Sequence, residues 1–160
     1  MGDLEQAKEY FERAINIQLK KLGSEHVDVA LCYFKLGNVE RELCSLQKAK
    51  EHLDCALNIQ LQKLGPEHLD VADTYDVLGI TECKLGNLRQ AQEYHEKGLD
   101  IRRKYLAPEH VDMAYSYYHL ANVQLLLHNV EQAKELYERA LDIQLKIGRA
   151  SCRERVCQYV

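Results

Sequence analysis

Forty-two residues after it begins, the segment starting at His26 begins again. Laid over each other at that offset, His26–Glu67 and His68–Glu109 agree at 17 positions, among them His26, Asp28, Val29, Ala30, Tyr33, Leu36, Gly37, Ala49 and Leu57. A third copy starts at His110 and runs to about Lys146. The opening Gly2–Glu25 matches the second half of a unit: Gly2-Asp3-Leu4 stands where Gly86-Asn87-Leu88 and His128-Asn129-Val130 stand later. A chain built this way cannot bury its apolar residues within one unit, so the units must stack on their neighbours.

Each unit reads as two helices. In the first, Val71, Ala72, Tyr75, Leu78 and Gly79 trace a stripe of 3.6-residue period. Gly86-Asn87 follows, two residues that tolerate the left-handed conformation that ends helices. The second helix carries Leu88, Ala91, His95, Gly98, Leu99 and Ile101; the earlier copy fills that face with Leu46, Ala49, Leu53, Ala56, Leu57 and Ile59. Leu-Gly-Ser-Glu-His (22–26), Leu-Gly-Pro-Glu-His (64–68) and Leu-Ala-Pro-Glu-His (106–110) close the units. Proline ends one helix there, and Asp28, Asp70 and Asp112 favour the start of the next.

A period near 42 also suits propeller blades and armadillo or HEAT units. Blades need four β-branched strands per unit, and these units are helical throughout. Armadillo and HEAT units lack the small-residue register found here: Gly37, Gly79 and Ala121 in first helices, then Ala7, Ala49, Ala91 and Ala133, and Ala14, Ala56, Gly98 and Ala140 in second helices. Small side chains at those points let two helices approach closely.

On Tyr75, Leu78-Gly79, Ala91 and Gly98, and more cleanly on Tyr117, Leu120-Ala121, Ala133, Tyr137 and Ala140, the sequence resembles the tetratricopeptide repeat family. The long unit and its Leu-Gly-Pro-Glu-His loop are similar to the kinesin light chain and nephrocystin-type branch. The resemblance covers residues 2–146 and implies an all-α, right-handed superhelix of seven helices, the first unpaired. His95, where the family places an apolar aromatic, and Gly98, where it prefers Ala, predict a locally weaker repeat at 68–109.

Both ends read as cut. Met1 aligns inside a repeat, and neither end shows the polar capping helix of a finished array. After Lys146 the loop motif gives way to Ile-Gly-Arg-Ala-Ser-Cys-Arg-Glu-Arg-Val (147–156), similar to a translated sequencing-library adapter. Residues 1–146 are therefore expected to form one array, with 2–25 a half repeat, 26–67 and 68–109 full repeats and 110–146 the last, and 147–160 a non-native tail. Without that tail the net charge moves from −4 to −6.

In this family the first helix of each pair lines a concave groove. Carried over residue by residue, the resemblance implies Leu31, Phe34, Lys35, Asn38 and Arg41 from one repeat, Asp73, Asp76, Val77 and Ile80 from the next, and Tyr115, Tyr118, His119 and Asn122 from the last. Each set shares one helix face. These residues differ between repeats whereas the packing residues recur. Aliphatic and aromatic side chains beside a basic set, then an acidic set, then tyrosines, suit an extended peptide or a partner helix. Lys35, Asn38 and Arg41 form a candidate clamp for a peptide carboxylate, and Asp73 with Asp76 an open acidic patch. The expected function is a protein-interaction scaffold; a spacer without a groove ligand and a regulatory module of a larger protein remain alternatives.

Other chemistries lack their residues. The negative balance argues against general nucleic-acid binding, and no apolar run approaches the roughly 20 residues of a membrane helix. Six cysteines without a Cys-x-x-Cys pair point to reduced thiols and a cytoplasmic setting rather than zinc or disulfides. His26, His68 and His110 recur once per repeat, too far apart for one metal ion, and read as caps between loop and helix. No nucleophile stands beside a base, no glycine-rich phosphate loop appears, and neither catalysis, cofactor nor metal is expected.

Overall fold

A computed structural model describes residues 2–157, with side chains through residue 148. It contains seven helices and, among the described residues, no strand: α1 (Gly2–Leu22), α2 (Val27–Glu42), α3 (Leu46–Lys63), α4 (Leu69–Leu85), α5 (Leu88–Tyr105), α6 (Val111–Leu126) and α7 (Val130–Cys157). Each helix packs on the next. Beyond that, α2 touches α4 and α4 touches α6, whereas α3, α5 and α7 make no backbone contact with one another within 8 Å. The first helices therefore line up side by side while the second helices fan apart behind them. That inequality curves the stack and puts α2, α4 and α6 on its inner side.

The turn inside each pair is the same device three times. Cys44 (φ 60°), Gly86 (φ 86°) and His128 (φ 64°) take the left-handed conformation. The amides of Ser45, Asn87 and Asn129 then reach back to the carbonyls of Glu40, Glu82 and Gln124 at 2.8, 2.9 and 2.9 Å. This is the Schellman pattern, which satisfies carbonyls that the helix end leaves open.

The loop between pairs is set by its glycine. Gly23 and Gly65 take φ of 83° and 87°. The third loop has Ala107 at that place, and its backbone differs: Leu106 is extended (ψ 148°), whereas Leu64 keeps a helical ψ of −21°. A Cβ makes the left-handed conformation costly by about 1–2 kcal/mol, so the chain turns one residue earlier. At the far side of each loop the expected caps are in place. Nδ1 of His26, His68 and His110 accepts the amide hydrogens of Asp28, Asp70 and Asp112 at 3.1, 3.1 and 3.2 Å. Among the described residues no group of three His, Cys, Asp or Glu side chains is placed to hold a metal.

Apolar residues meet between repeats: Leu53 and Leu57 of α3 with Val71, Ala72 and Leu78 of α4, and Leu99 of α5 with Met113, Ala114 and Leu120 of α6. The same position on α7 is open. Leu57 and Leu99 are 8% and 2% exposed, but Leu141 is 55% exposed beside Val130 and Leu125. Helix α7 runs past Lys146 without the loop that closes earlier repeats; the expected non-native character of 147–160, with Cys152 and Cys157, falls on side chains that, from residue 149 on, lie outside the described ones. The thiols of Cys32, Cys44, Cys55 and Cys83 are free, and no described helix is long and apolar enough to cross a membrane.

Candidate functional site

The inner face of α2, α4 and α6 carries two adjoining hollows. The first, about 210 Å³, opens between α2 and α4 and is lined by Val27, Asp28, Leu31, Phe34, Lys35, Gln60, Asp70 and Asp73. The second, about 270 Å³, lies between α4 and α6 against Phe34, Asp73, Asp76, Val77, Ile80, Arg102, Asp112, Tyr115 and His119. Phe34 and Asp73 belong to both, so the two form one trough along the inner side.

Nine of the thirteen residues expected in the groove line this trough: Leu31, Phe34, Lys35, Asp73, Asp76, Val77, Ile80, Tyr115 and His119. The others are engaged elsewhere. Asn38 donates its side-chain amide to the carbonyl of Phe34 one turn back at 3.1 Å. Arg41 pairs with Glu42 at 2.6 Å. Tyr118 packs edge-on against Tyr137 of α7, centroids 5.9 Å apart, and Asn122 accepts the hydroxyl hydrogen of that tyrosine at 2.5 Å. Lys35 instead lies over the Phe34 ring, 5.7 Å from its centroid. Of Lys35, Asn38 and Arg41, the candidate carboxylate clamp, Lys35 lines the trough, while Asn38 and Arg41 each make a contact within their own helix.

The acidic patch also differs from its sequence reading. Asp73 is exposed, but Asp76 is only 8% exposed. Arg102, reaching in from α5, donates through Nη2 to Asp73 at 2.6 Å and through Nη1 to Asp76 and to Ser116 of α6. His95 bonds the other Asp76 oxygen through Nδ1 at 3.2 Å and stacks on His119, ring centroids 5.4 Å apart and planes 7° from parallel. Two buried charges out of water are tolerable only when paired and hydrogen-bonded like this. Burial first, then the neighbouring His95, pushes the His119 imidazole below its ordinary pKa, so it stands neutral at neutral pH.

Arg102 is the residue that sequence reasoning missed, and the 42-residue offset held its signal. One repeat earlier Gln60 occupies its place and accepts the hydroxyl hydrogen of Thr74 at 2.7 Å, as Arg102 bonds Ser116. The change from Leu31 and Phe34 to Asp73 and Asp76 accompanies the change from Gln60 to Arg102. Acids replace apolar groups on α4, and a cation replaces an amide behind them. Asp28, Asp70 and Asp112, expected to start helices, line the hollows as well.

A tetratricopeptide repeat family model matches residues 1–62, 35–104 and 70–146, the whole of the repeated region. The chain belongs to the tetratricopeptide repeat family. Solved structures superpose on most of it. BtubC (BKLC) from P. vanneervenii gives a TM-score of 0.84 at 23% identity, over 92% of this chain and 59% of that one. The putative kinesin light chain of Podosopora anserina, with nearly identical TPR-like repeats, gives 0.74 at 28% identity over 92% and 70%. MamA gives 0.60 at 18% identity over 91% and 81%. The chain thus spans 59% of the length of BtubC. No curated protein matches it. The TPR superhelix accounts for the inward position of α2, α4 and α6, and kinesin light chain-like repeats accompany the 42-residue unit.

Proposed function

We propose that this TPR chain is a cytosolic protein-interaction scaffold, not an enzyme, and that its repeats form a single array over residues 1–146 which holds an extended peptide segment in the inner trough. The observation that carries the reading is the continuity of the two hollows across three helices, with exposed Leu31 and Tyr115 and half-buried Phe34, Val77 and Ile80 along them. Apolar and aromatic anchors between hydrogen-bonding groups are the composition of a peptide-binding surface. Asp73 and Asp76 are tied to Arg102 and stand in an open trough, which does not suit acid–base catalysis.

Selection of a random-peptide phage library on the whole chain tests this, with the recovered peptide mapped by amide chemical shifts. Shifts concentrated on α2, α4 and α6, and binding lost in Phe34→Ala/Tyr115→Ala at unchanged helicity, are expected. Shifts confined to α3, α5 or the open face of α7 would overturn the groove. A chain that selects no peptide is better described as a spacer.

A further inference from the structure

The charge of the trough selects among peptides, an inference that rests on the peptide-binding reading above. Five carboxylates line the two hollows: Asp28, Asp70, Asp73, Asp76 and Asp112, against two cations, Lys35 and Arg102. Three helix N-termini add roughly half a positive charge each. The balance stays negative: Arg102 offsets one of Asp73 and Asp76, and of the lining residues Lys35 is the cation left beside Asp28, Asp70 and Asp112. Arg102 is held in place by Asp73, Asp76 and Ser116 and has little left for a ligand. Asp28, Asp70 and Asp112 lie 3.6, 3.7 and 3.5 Å from Nδ1 of their capping histidines. That nitrogen accepts a backbone amide hydrogen and so carries no proton of its own to neutralise the acid.

Aromatic and amide groups stand among these acids. Tyr115 is 56% exposed, and Phe34, over whose ring Lys35 lies, lines both hollows; aromatic faces attract a cation on a ligand. Gln60 is 5% exposed and lines the first hollow; its oxygen takes the Thr74 hydroxyl, and its amide nitrogen has no protein acceptor among the described residues. It is placed to donate to a ligand's main-chain carbonyl.

We propose that the trough binds an extended basic segment of a partner protein, its Lys or Arg stems lying on Leu31, Phe34 and Tyr115 and its charged heads on Asp28, Asp70, Asp73 and Asp112. An acidic segment would meet like charge in both hollows. A head group on a half-exposed carboxylate changes affinity by about two- to fivefold, so two such contacts change it by about tenfold.

The peptides recovered from the phage library on the whole chain give the test. An excess of Lys and Arg over the input library is expected. The affinity of a recovered peptide, read by fluorescence anisotropy, should fall about tenfold in Asp28→Asn/Asp70→Asn, rise in Lys35→Glu, and weaken between about 0.05 and 0.3 M salt as screening shortens. Lys35→Glu alters an exposed side chain and should fold normally, so its sign alone decides if the aspartate variant is unstable. Neutral or acidic peptides that still map to α2, α4 and α6, or a Lys35→Glu variant that binds more weakly, would overturn the basic ligand and leave the groove standing. Peptides that map elsewhere, or none at all, overturn the groove itself and this inference with it.

Discussion

The imidazole of His95 fills the space that Gly79 leaves empty: a Cβ added at Gly79 would stand 2.6 Å from Nε2 and 2.7 Å from Cε1 of that ring. One repeat earlier the same relation joins Gly37 and Leu53, with a Cβ 2.7 Å from Cγ. Gly98, the second departure from the family pattern, stands against the partner of His95: a Cβ there would lie 3.0 Å from Oδ1 of Asp76. The two residues expected to loosen the repeat at 68–109 are parts of one packed polar core. With His95 only 1% exposed, bonded and stacked, the site is filled.

Gly79→Ala should therefore overpack this core and cost about 1–3 kcal/mol. In a double-mutant cycle, His95→Ala combined with Gly79→Ala should cost less than the two changes added, because the new methyl enters the space the ring vacates. Urea unfolding of the four proteins measures the coupling. Strict additivity would show that the two side chains do not compete for that space.

Arg102→Ala leaves Asp76 buried without its cation and should destabilise by about 3–5 kcal/mol. Asp76→Asn keeps the shape and one hydrogen-bond acceptor, so its effect should be smaller. Losses of equal size in thermal unfolding would mean that shape, not charge pairing, holds Arg102.

Stability should depend on pH through His119. Its folded pKa lies below the ordinary 6.5 because of burial first and then His95, so between those two values the unfolded chain binds more protons than the folded one. Its contribution is fully present above about pH 6.5 and is lost as the pH falls toward the folded value. The slope is at most about 1.4 kcal/mol per pH unit for one proton. Unfolding free energies from pH 7 to 5.5 should show this fall, and His119→Phe should flatten it. A variant with the same slope as the wild type would place the proton uptake elsewhere.

Cys44 holds the left-handed position that Gly86 fills one repeat later, at a φ of 60°. Relieving it with Cys44→Gly should stabilise the chain by about 0.5–1 kcal/mol, the smaller strain winning over the greater entropy of an unfolded glycine. The same change at His128 should act alike. A loss of stability in urea would show that the Cys44 side chain contributes more than its backbone costs.

Much of the fold was legible in the chain because its determinants are local and recur. The 42-residue offset, the 3.6-residue stripes, the small residues at Gly37, Gly79 and Ala121 and the histidine caps all lie within a few residues of what they control. Stacking then multiplies one answer. The inner position of α2, α4 and α6 followed from the family's geometry, and the trough found there contains most of the expected side chains.

What tertiary structure alone decided is which of those side chains are free. Asn38 and Asn122 sit in the right helices, but Asn38 gives its amide nitrogen to the Phe34 carbonyl and Asn122 its amide oxygen to the Tyr137 hydroxyl. Asp76 becomes a core residue because Arg102, 26 residues away in the chain, reaches it across a helix pair. Pairing between distant side chains depends on how far and at what angle two helices cross, and no period in the sequence carries that distance. The repeat determined that there would be a groove; the crossing of α4 and α5 determined which of its charges are paired within the protein.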